Sequence, residues 1–364
     1  MSSEREATRA AFLASAGLAA AVREPLAGDA STRRYERLYP PSGPSLIFMD
    51  QPPALESAPC PPEATAAERI AAGYNASARL AAGRVEAFIA CASYLRGCGL
   101  SAPQVVAADP AQGLAVLEDL GDGLYARVIE AGGSEAALYA AAIDALVQLH
   151  AHAPPPQVLA VGEITWPLLV YDDLALKTGA AVFLEWLPRL ASQMTFGEEA
   201  QAGWEALWAP IRRRGEAGAS VFCHRDYHAE NLIWLPDRAG PQRVGLIDFQ
   251  DALRAHPAWD LSMLLHDARR QIDPARETDC LARYLAARPD VDREAFLADF
   301  HALGALNIVR ILGVFARLVV RDSKPRYLGF MPRMWTYLDR CLSTPGLEGL
   351  NGWFARHAPA GARG

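Results

Sequence analysis

Two carboxylates and one amide set the chemistry of the stretch Phe222 to Asp251, FCHRDYHAENLIWLPDRAGPQRVGLIDFQD. Asp226 follows His224 and Arg225, Asn231 comes five residues later, and Asp248 opens an Asp-Phe-Gln after an apolar run. A lone aspartate carboxylate can take up or orient the proton of an attacking hydroxyl. An amide oxygen and a second carboxylate suit magnesium, a hard cation that prefers oxygen ligands and keeps several waters. Together the three residue types fit transfer of a highly charged group onto a hydroxyl, with Asp226 as base and Asn231 and Asp248 as metal ligands. The plain alternative is a buried loop in which Asp and Asn cap turns, which both do well.

Such groups must be held on short, stiff elements. Leu232 to Leu235 reads as one strand, Pro236 to Gln242 as a turn, and Arg243 to Ile247 as the returning strand. The chain around this hairpin has 364 residues, enough for two lobes with ample cores. A hydrophobic content of 51%, a charged content of 21% and a net charge of -7 describe a globular protein with no electrostatic footprint for nucleic acid. Six scattered cysteines without a C-x-x-C pair read as thiols of a reducing compartment, so a cytoplasmic protein is expected. The apolar run Ala11 to Val22 follows acidic Glu4 and Glu6, which suits an amphipathic helix better than a signal peptide. No other run looks long and apolar enough to span a membrane.

Along the chain, Leu26 to Tyr39 (LAGDASTRRYERLY) places a small polar turn before an alternating strand, and Ser45 to Met49 reads as a second strand. The turn offers main-chain N–H groups of Gly28, the hydroxyls of Ser31 and Thr32, and the charge of Arg33, all suited to phosphate oxygens. An ordinary hairpin is the competing reading. Gln51 to Ala82 is rich in Ala and Pro and reads as a variable insertion. Val85, Phe88, Ile89, Ala92 and Leu95 repeat at helical spacing. Two further strands, Pro103 to Ala108 and Leu114 to Leu117, run into Glu118-Asp-Leu-Gly-Asp-Gly123, which reads either as a hinge or as a common turn.

The remainder is mainly helical. Ser134 to His150 carries an apolar face and is stopped by Pro154 to Pro156, and Leu168 to Leu190 holds one or two helices. All eight tryptophans fall after residue 165, with Trp204 and Trp208 one turn apart, a pattern of core packing first and sugar stacking second. Asp260 is placed to open and cap a helix from Leu261 to Arg269. On the helix around Ala302 to Val320, Asn307, Arg310, Arg317 and Arg321 fall near one face, either a solvated face or a cationic one for an anionic acceptor.

These motifs resemble the aminoglycoside phosphotransferase family, which is kinase-like in fold and includes choline and homoserine kinases. GDASTRRYER, LEDLGD, HRDYHAENL, LIDFQD and HPAWDL carry the likeness over most of the chain. Within the family the chain looks closest to the bacterial anomeric sugar kinases of cell-wall recycling, which act on N-acetylmuramate and N-acetylglucosamine. The resemblance implies an α+β, bilobal protein-kinase-like fold. Residues 1–119 would form a small β-rich N-lobe and residues 120–364 a larger helical C-lobe. It also implies ATP and magnesium as cofactors, a small-molecule sugar as partner, a monomer, and no nucleic acid or membrane. Asp226 would be the base, Asn231 and Asp248 the metal ligands, and Gly28, Ser31, Thr32, Arg33, Glu118 and Leu120 the nucleotide contacts. His228, Arg310 and Arg317 would meet the sugar, with His224 and Asp260 in support. One family feature is lacking. The strand LIFMD holds Met49 and Asp50 where relatives carry a phosphate-pairing lysine, and Arg33 or Arg34 is the expected substitute. An aminoglycoside or choline-type acceptor, and an inactive ATP-binding regulator, stay open as other readings.

Overall fold

A computed structural model describes residues 3–26, 33–52 and 59–363. In chain order its elements are α1 (Ser3–Ser15), β1 (Val22–Pro25), β2 (Arg34–Tyr39), β3 (Leu46–Asp50), α2 (Ala66–Ala72), α3 (Tyr74–Ser77), α4 (Val85–Gly97), β4 (Val105–Asp109), β5 (Leu114–Glu118), α5 (Tyr125–Glu130) and α6 (Glu135–His150). There follow β6 (Val158–Val161), β7 (Ile164–Pro167), α7 (Asp173–Leu190), α8 (Glu198–Ala217), β8 (Val221–Cys223), β9 (Leu232–Trp234), β10 (Val244–Leu246) and β11 (Leu253–Ala255). The chain closes with α9 (Ala258–Leu265), α10 (Pro274–Ala286), α11 (Arg293–Val320), α12 (Met331–Leu342) and α13 (Glu348–His357). The fold is the expected mixture of an antiparallel sheet and a larger helical part.

The chain forms two compact units. The first comprises residues 1–134, 156–168 and 230–252, and the second residues 135–155, 169–229 and 253–364. These bounds differ from a simple division at 119/120, because the hairpin after Glu230 packs with the N-terminal sheet's unit. The division into functional lobes therefore remains a proposal.

In the first unit five antiparallel strands run in the order β1-β2-β3-β5-β4. Alternation on β3 sends Phe48 to the face covered by α1, where Phe12, Leu13, Leu18, Leu38, Leu114 and Val116 complete a core. On the same face Asp50 is ion-paired to Arg5 and to Arg9, which is itself buried and paired to Glu36 and Glu6. The strand β1 had no alternating signature and is defined by pairing with β2 alone. The β9–β10 hairpin docks through Trp234 N–H donating to Gly123 O at 2.6 Å and Leu246 N–H donating to Ser101 O at 2.8 Å.

In the second unit α7 is one uninterrupted helix from Asp173, its N-cap Asp172 accepting from Ala175 N–H. Trp204, Trp208, Trp259, Trp335 and Trp353 are all buried, so packing claims most of the tryptophans. The helix α11 corrects the expectation about membrane-length runs: by length and composition it could cross a bilayer. Its most apolar window is 61% buried inside the protein, as befits a core helix packed on α7, α9 and α12.

Candidate active site

In the second unit β8 pairs with β11 and ends at Cys223, launching the loop His224 to Asp226. Arg225 there has φ +78°, in the left-handed region that costs a non-glycine residue about 1–3 kcal/mol. What holds it is Asp260. Its buried carboxylate accepts the main-chain N–H of His224 at 2.6 Å, that of Arg225 at 2.8 Å and the Cys223 thiol at 3.2 Å. Burial pushes the Asp260 carboxyl up to about 6, working against those three donors. The expected helix cap is thus corrected. Asp260 lies inside α9, which begins at Ala258, and its oxygens serve the loop rather than the helix end. Further on, Ala229 N–H donates to Asp267 at 3.4 Å and Tyr227 hydroxyl to Ala142 O at 2.8 Å, so both ends of the loop are anchored. Asp226 itself is half-buried, and His228 N–H donates to its main-chain oxygen at 3.1 Å.

In the first unit Asn231 immediately precedes β9, and its carbonyl accepts Ile247 N–H at 3.2 Å across the hairpin. Asp248 follows the end of β10 with φ +64°. Pairing of the two strands therefore carries both expected metal-ligand residues on one short hairpin, as the spacing predicted. The Asp248 side chain is 38% exposed, and its Oδ1 accepts from Arg33 Nη2 at 2.7 Å and from Gln250 Nε2 at 3.2 Å. Arg33 Nη1 also donates to Gln250 Oε1 at 2.8 Å and meets the Tyr35 hydroxyl at 3.2 Å. Register explains why Arg33 and not Arg34 comes here. Tyr35 lies opposite Met49 and Arg34 opposite Asp50, so Arg33 shares the Tyr35 and Met49 side of the sheet. Met49 is 1% exposed, so that position contributes packing and no charge.

No cluster of three or more His, Cys, Asp or Glu suited to a metal occurs among the described residues. Magnesium does not require one, since it is usually held by one or two protein oxygens, waters and substrate phosphates. An amide oxygen and a half-exposed carboxylate on one hairpin fit that donor chemistry.

The other expected contacts divide. Glu118 ends β5 and is engaged by Arg238 at 2.6 Å, Arg96 at 3.3 Å and Gln104 N–H at 3.0 Å, so its side chain is structural and only its backbone is suited to a nucleotide. Leu120 is buried. Gly28, Ser31 and Thr32 lie outside the described residues. Arg310 and Arg317 sit half-buried on α11, and Asn307 is fully buried rather than part of a solvated face. Sequence reasoning missed Gln250 and Tyr35. Gln250 stood in the Asp-Phe-Gln triplet, but only the fold brings Arg33 to it from 217 residues away.

Comparison with known proteins identifies the family. The sequence model of the phosphotransferase enzyme family matches residues 22–297. The chain is 66% identical to the N-acetylmuramate/N-acetylglucosamine kinase of Caulobacter vibrioides, over all of this chain and 99% of the relative. It is 30% identical to the kinase of the same name from Pseudomonas putida, over 92% of this chain and 88% of that one. Among solved structures, a choline/ethanolamine kinase family protein from Mesorhizobium loti superposes with a TM-score of 0.54 at 14% identity, covering 96% of this chain and 98% of its own. A family model that matches most of the chain and a relative 66% identical from end to end have one meaning: the chain belongs to the phosphotransferase enzyme family.

Proposed function

We propose that this enzyme transfers the γ-phosphoryl group of ATP to the anomeric C1 hydroxyl of N-acetylmuramate and of N-acetylglucosamine, giving the sugar 1-phosphate and ADP. The observation that carries this reading is the 66% identity, end to end, to a kinase named for those two sugars. The local geometry supports it. Asp226 sits on a loop braced by Asp260 and would take the proton of the attacking hydroxyl. Asn231 and Asp248 would hold magnesium, which when bound screens the charge on the transferred group. Arg33 stands on the Met49 side of the sheet beside Asp248, and would supply the positive charge that a lysine at position 49 gives relatives. Glu118 and Leu120 would present the backbone that meets the adenine edge, with the turn of Gly28, Ser31 and Thr32 contacting phosphates. His228 and Arg317 would face the sugar ring, and Arg310 the substituent in which the two sugars differ. All six cysteines are buried thiols, which agrees with the reducing cytoplasm where ATP and recycled cell-wall sugars meet. The enzyme is expected to act as a monomer.

The test is ADP release from Mg-ATP with N-acetylmuramate, N-acetylglucosamine, kanamycin and choline in parallel, with phosphorus NMR of the product. An anomeric phosphate signal from the amino sugars supports the reading, and Asp226→Asn should lower kcat by roughly 10²-fold or more while nucleotide binding survives. Turnover confined to kanamycin or choline would overturn the substrate, and nucleotide binding without any turnover would overturn the enzymatic assignment.

A further inference from the structure

One guanidinium of the second unit is electrostatically unfinished. Arg310 is half-buried on α11, yet its polar contacts are neutral. Its Nε–H donates to Asn307 Oδ1 at 3.0 Å, and its Nη2 lies 3.9 Å from the Met263 sulfur. Asn307, 0% exposed, is fixed in turn by its Nδ2 lying 2.8 Å from the same sulfur. The Trp259 ring lies 6.0 Å from the guanidinium carbon. Among the described residues no carboxylate pairs with Arg310, whereas Arg321, on the next turns, is salt-bridged to Asp322 at 2.6 Å. An arginine cannot shed its proton, so a half-buried one without an acid calls for an anion from outside.

The surroundings prepare the group to receive one. Gly179 on α7 leaves room for the Arg310 stem: a Cβ there would lie 3.0 Å from Arg310 Cδ. Asn307 engages Nε, which fixes one edge of the guanidinium and leaves its Nη groups without a protein carboxylate among the described residues. Tyr171 stands edge-on to Trp259 with ring centroids 4.7 Å apart, and Arg225 lies 5.0 Å from the Tyr171 ring. A continuous series of contacts thus runs from Arg310 through Trp259 and Tyr171 to Arg225, whose chain neighbour is Asp226. The cation is tied to the catalytic loop through a rigid aromatic pair within a single unit.

We propose that Arg310 is the specificity residue that recognises the lactyl carboxylate of N-acetylmuramate, the group N-acetylglucosamine lacks, with Asn307, Met263 and Trp259 as its mount. The proposal rests on the function proposed above and names the part of the sugar this site reads. A bidentate Arg–carboxylate pair acts on one of the two substrates only, so it sets their ratio and not the chemistry.

The experiment is a comparison of kcat/KM for N-acetylmuramate, its lactyl methyl ester and N-acetylglucosamine in wild type, Arg310→Met and Arg310→Lys, with melting temperature and KM for ATP recorded for each. Arg310→Met should lower kcat/KM for N-acetylmuramate by about 10- to 100-fold, chiefly through KM, the worth of a charged hydrogen bond lost on binding. It should leave the ester and N-acetylglucosamine within about threefold, and Arg310→Lys should recover part of the loss as a point charge without the fork. Equal losses on all three sugars, a rise in KM for ATP that is the same with either sugar, or an unchanged ratio would each overturn the proposal while leaving the sugar kinase reading intact. Failure of the wild type to phosphorylate either sugar would overturn both.

Discussion

Removing the carboxylate of Asp260 should unseat the loop that carries Asp226. In Asp260→Ala the N–H groups of His224 and Arg225 lose their acceptor, and these two residues are 0% and 4% exposed. Each buried, unsatisfied donor costs about 1–3 kcal/mol, so ~2–6 kcal/mol is at stake. The strained Arg225 backbone, held at φ +78°, gives the loop a reason to relax once the bonds are gone. Relaxation would return the N–H groups to water and so recover stability, but at the expense of the position of Asp226, where a displacement near 1 Å costs roughly 10²-fold in rate. The loss must therefore appear in unfolding free energy, in kcat, or divided between them. Asp260→Asn keeps an oxygen for one donor and should fall between wild type and alanine. A pH titration separates charge from shape. The folded carboxyl titrates at about 6 and the free one near 3.8, because burial resists ionisation. The proton held in the folded state stabilises it fully below 3.8, and that contribution is lost as the pH rises to about 6. At about 1.4 kcal/mol per pH unit the change is ~3 kcal/mol. Urea unfolding of wild type and Asp260→Asn at intervals from pH 3 to 8 should therefore show wild type losing ~3 kcal/mol relative to the amide across that window. Above about pH 7 the gap should be flat, and kcat of wild type should be highest there, where the ionised carboxylate grips both donors. An Asp260→Ala enzyme with kcat within threefold of wild type and stability within ~1 kcal/mol would refute the bracing role, and a pH-independent gap would refute the buried ionisation.

Two further outcomes follow from the same contacts. Arg33→Met removes the cation beside Asp248 and should weaken binding of a fluorescent ATP analogue by roughly 10-fold or more, with Arg33→Lys weakened less; unchanged binding by both variants would show that the missing lysine has no substitute there. Gly313→Ala should destabilise the fold by about 1–3 kcal/mol in chemical denaturation, because a Cβ on α11 would lie 2.6 Å from the Val182 carbonyl carbon and 2.8 Å from Phe183 Cα on α7, backbone that cannot give way as a side chain end could.

Much of the candidate active site was legible in one dimension. Asp226, Asn231 and Asp248 lie within 23 residues, and two short apolar runs around a polar turn suffice to predict the hairpin β9–β10. The helices α4 and α6 and the strands β4 and β5 were equally plain, since each is longer or more regular than the turns that bound it. Local propensity and periodicity act between neighbours, so sequence spacing carries them directly. Asp260 was found with two tasks, a helix cap from its position and a supporting one for the catalytic loop from the resemblance, and the structure sides with the second. A carboxylate near a helix start looks like a cap, and only the fold shows both oxygens turned to a loop 35 and 36 residues back. The choice of Arg33 over Arg34 was likewise undecidable until strand register placed Tyr35 opposite Met49. The cationic stripe on α11 was visible as periodicity, yet nothing in the string told a solvated face from a buried arginine lacking an acid. That distinction belongs to contacts among α7, α9 and α11, made by residues as far apart as Gly179 and Arg310. Residue type and spacing determined which chemistry this chain can perform. Burial, register and long-range partners decided which of the eligible side chains are held ready to perform it, because desolvation and hydrogen-bond geometry exist only once distant segments meet.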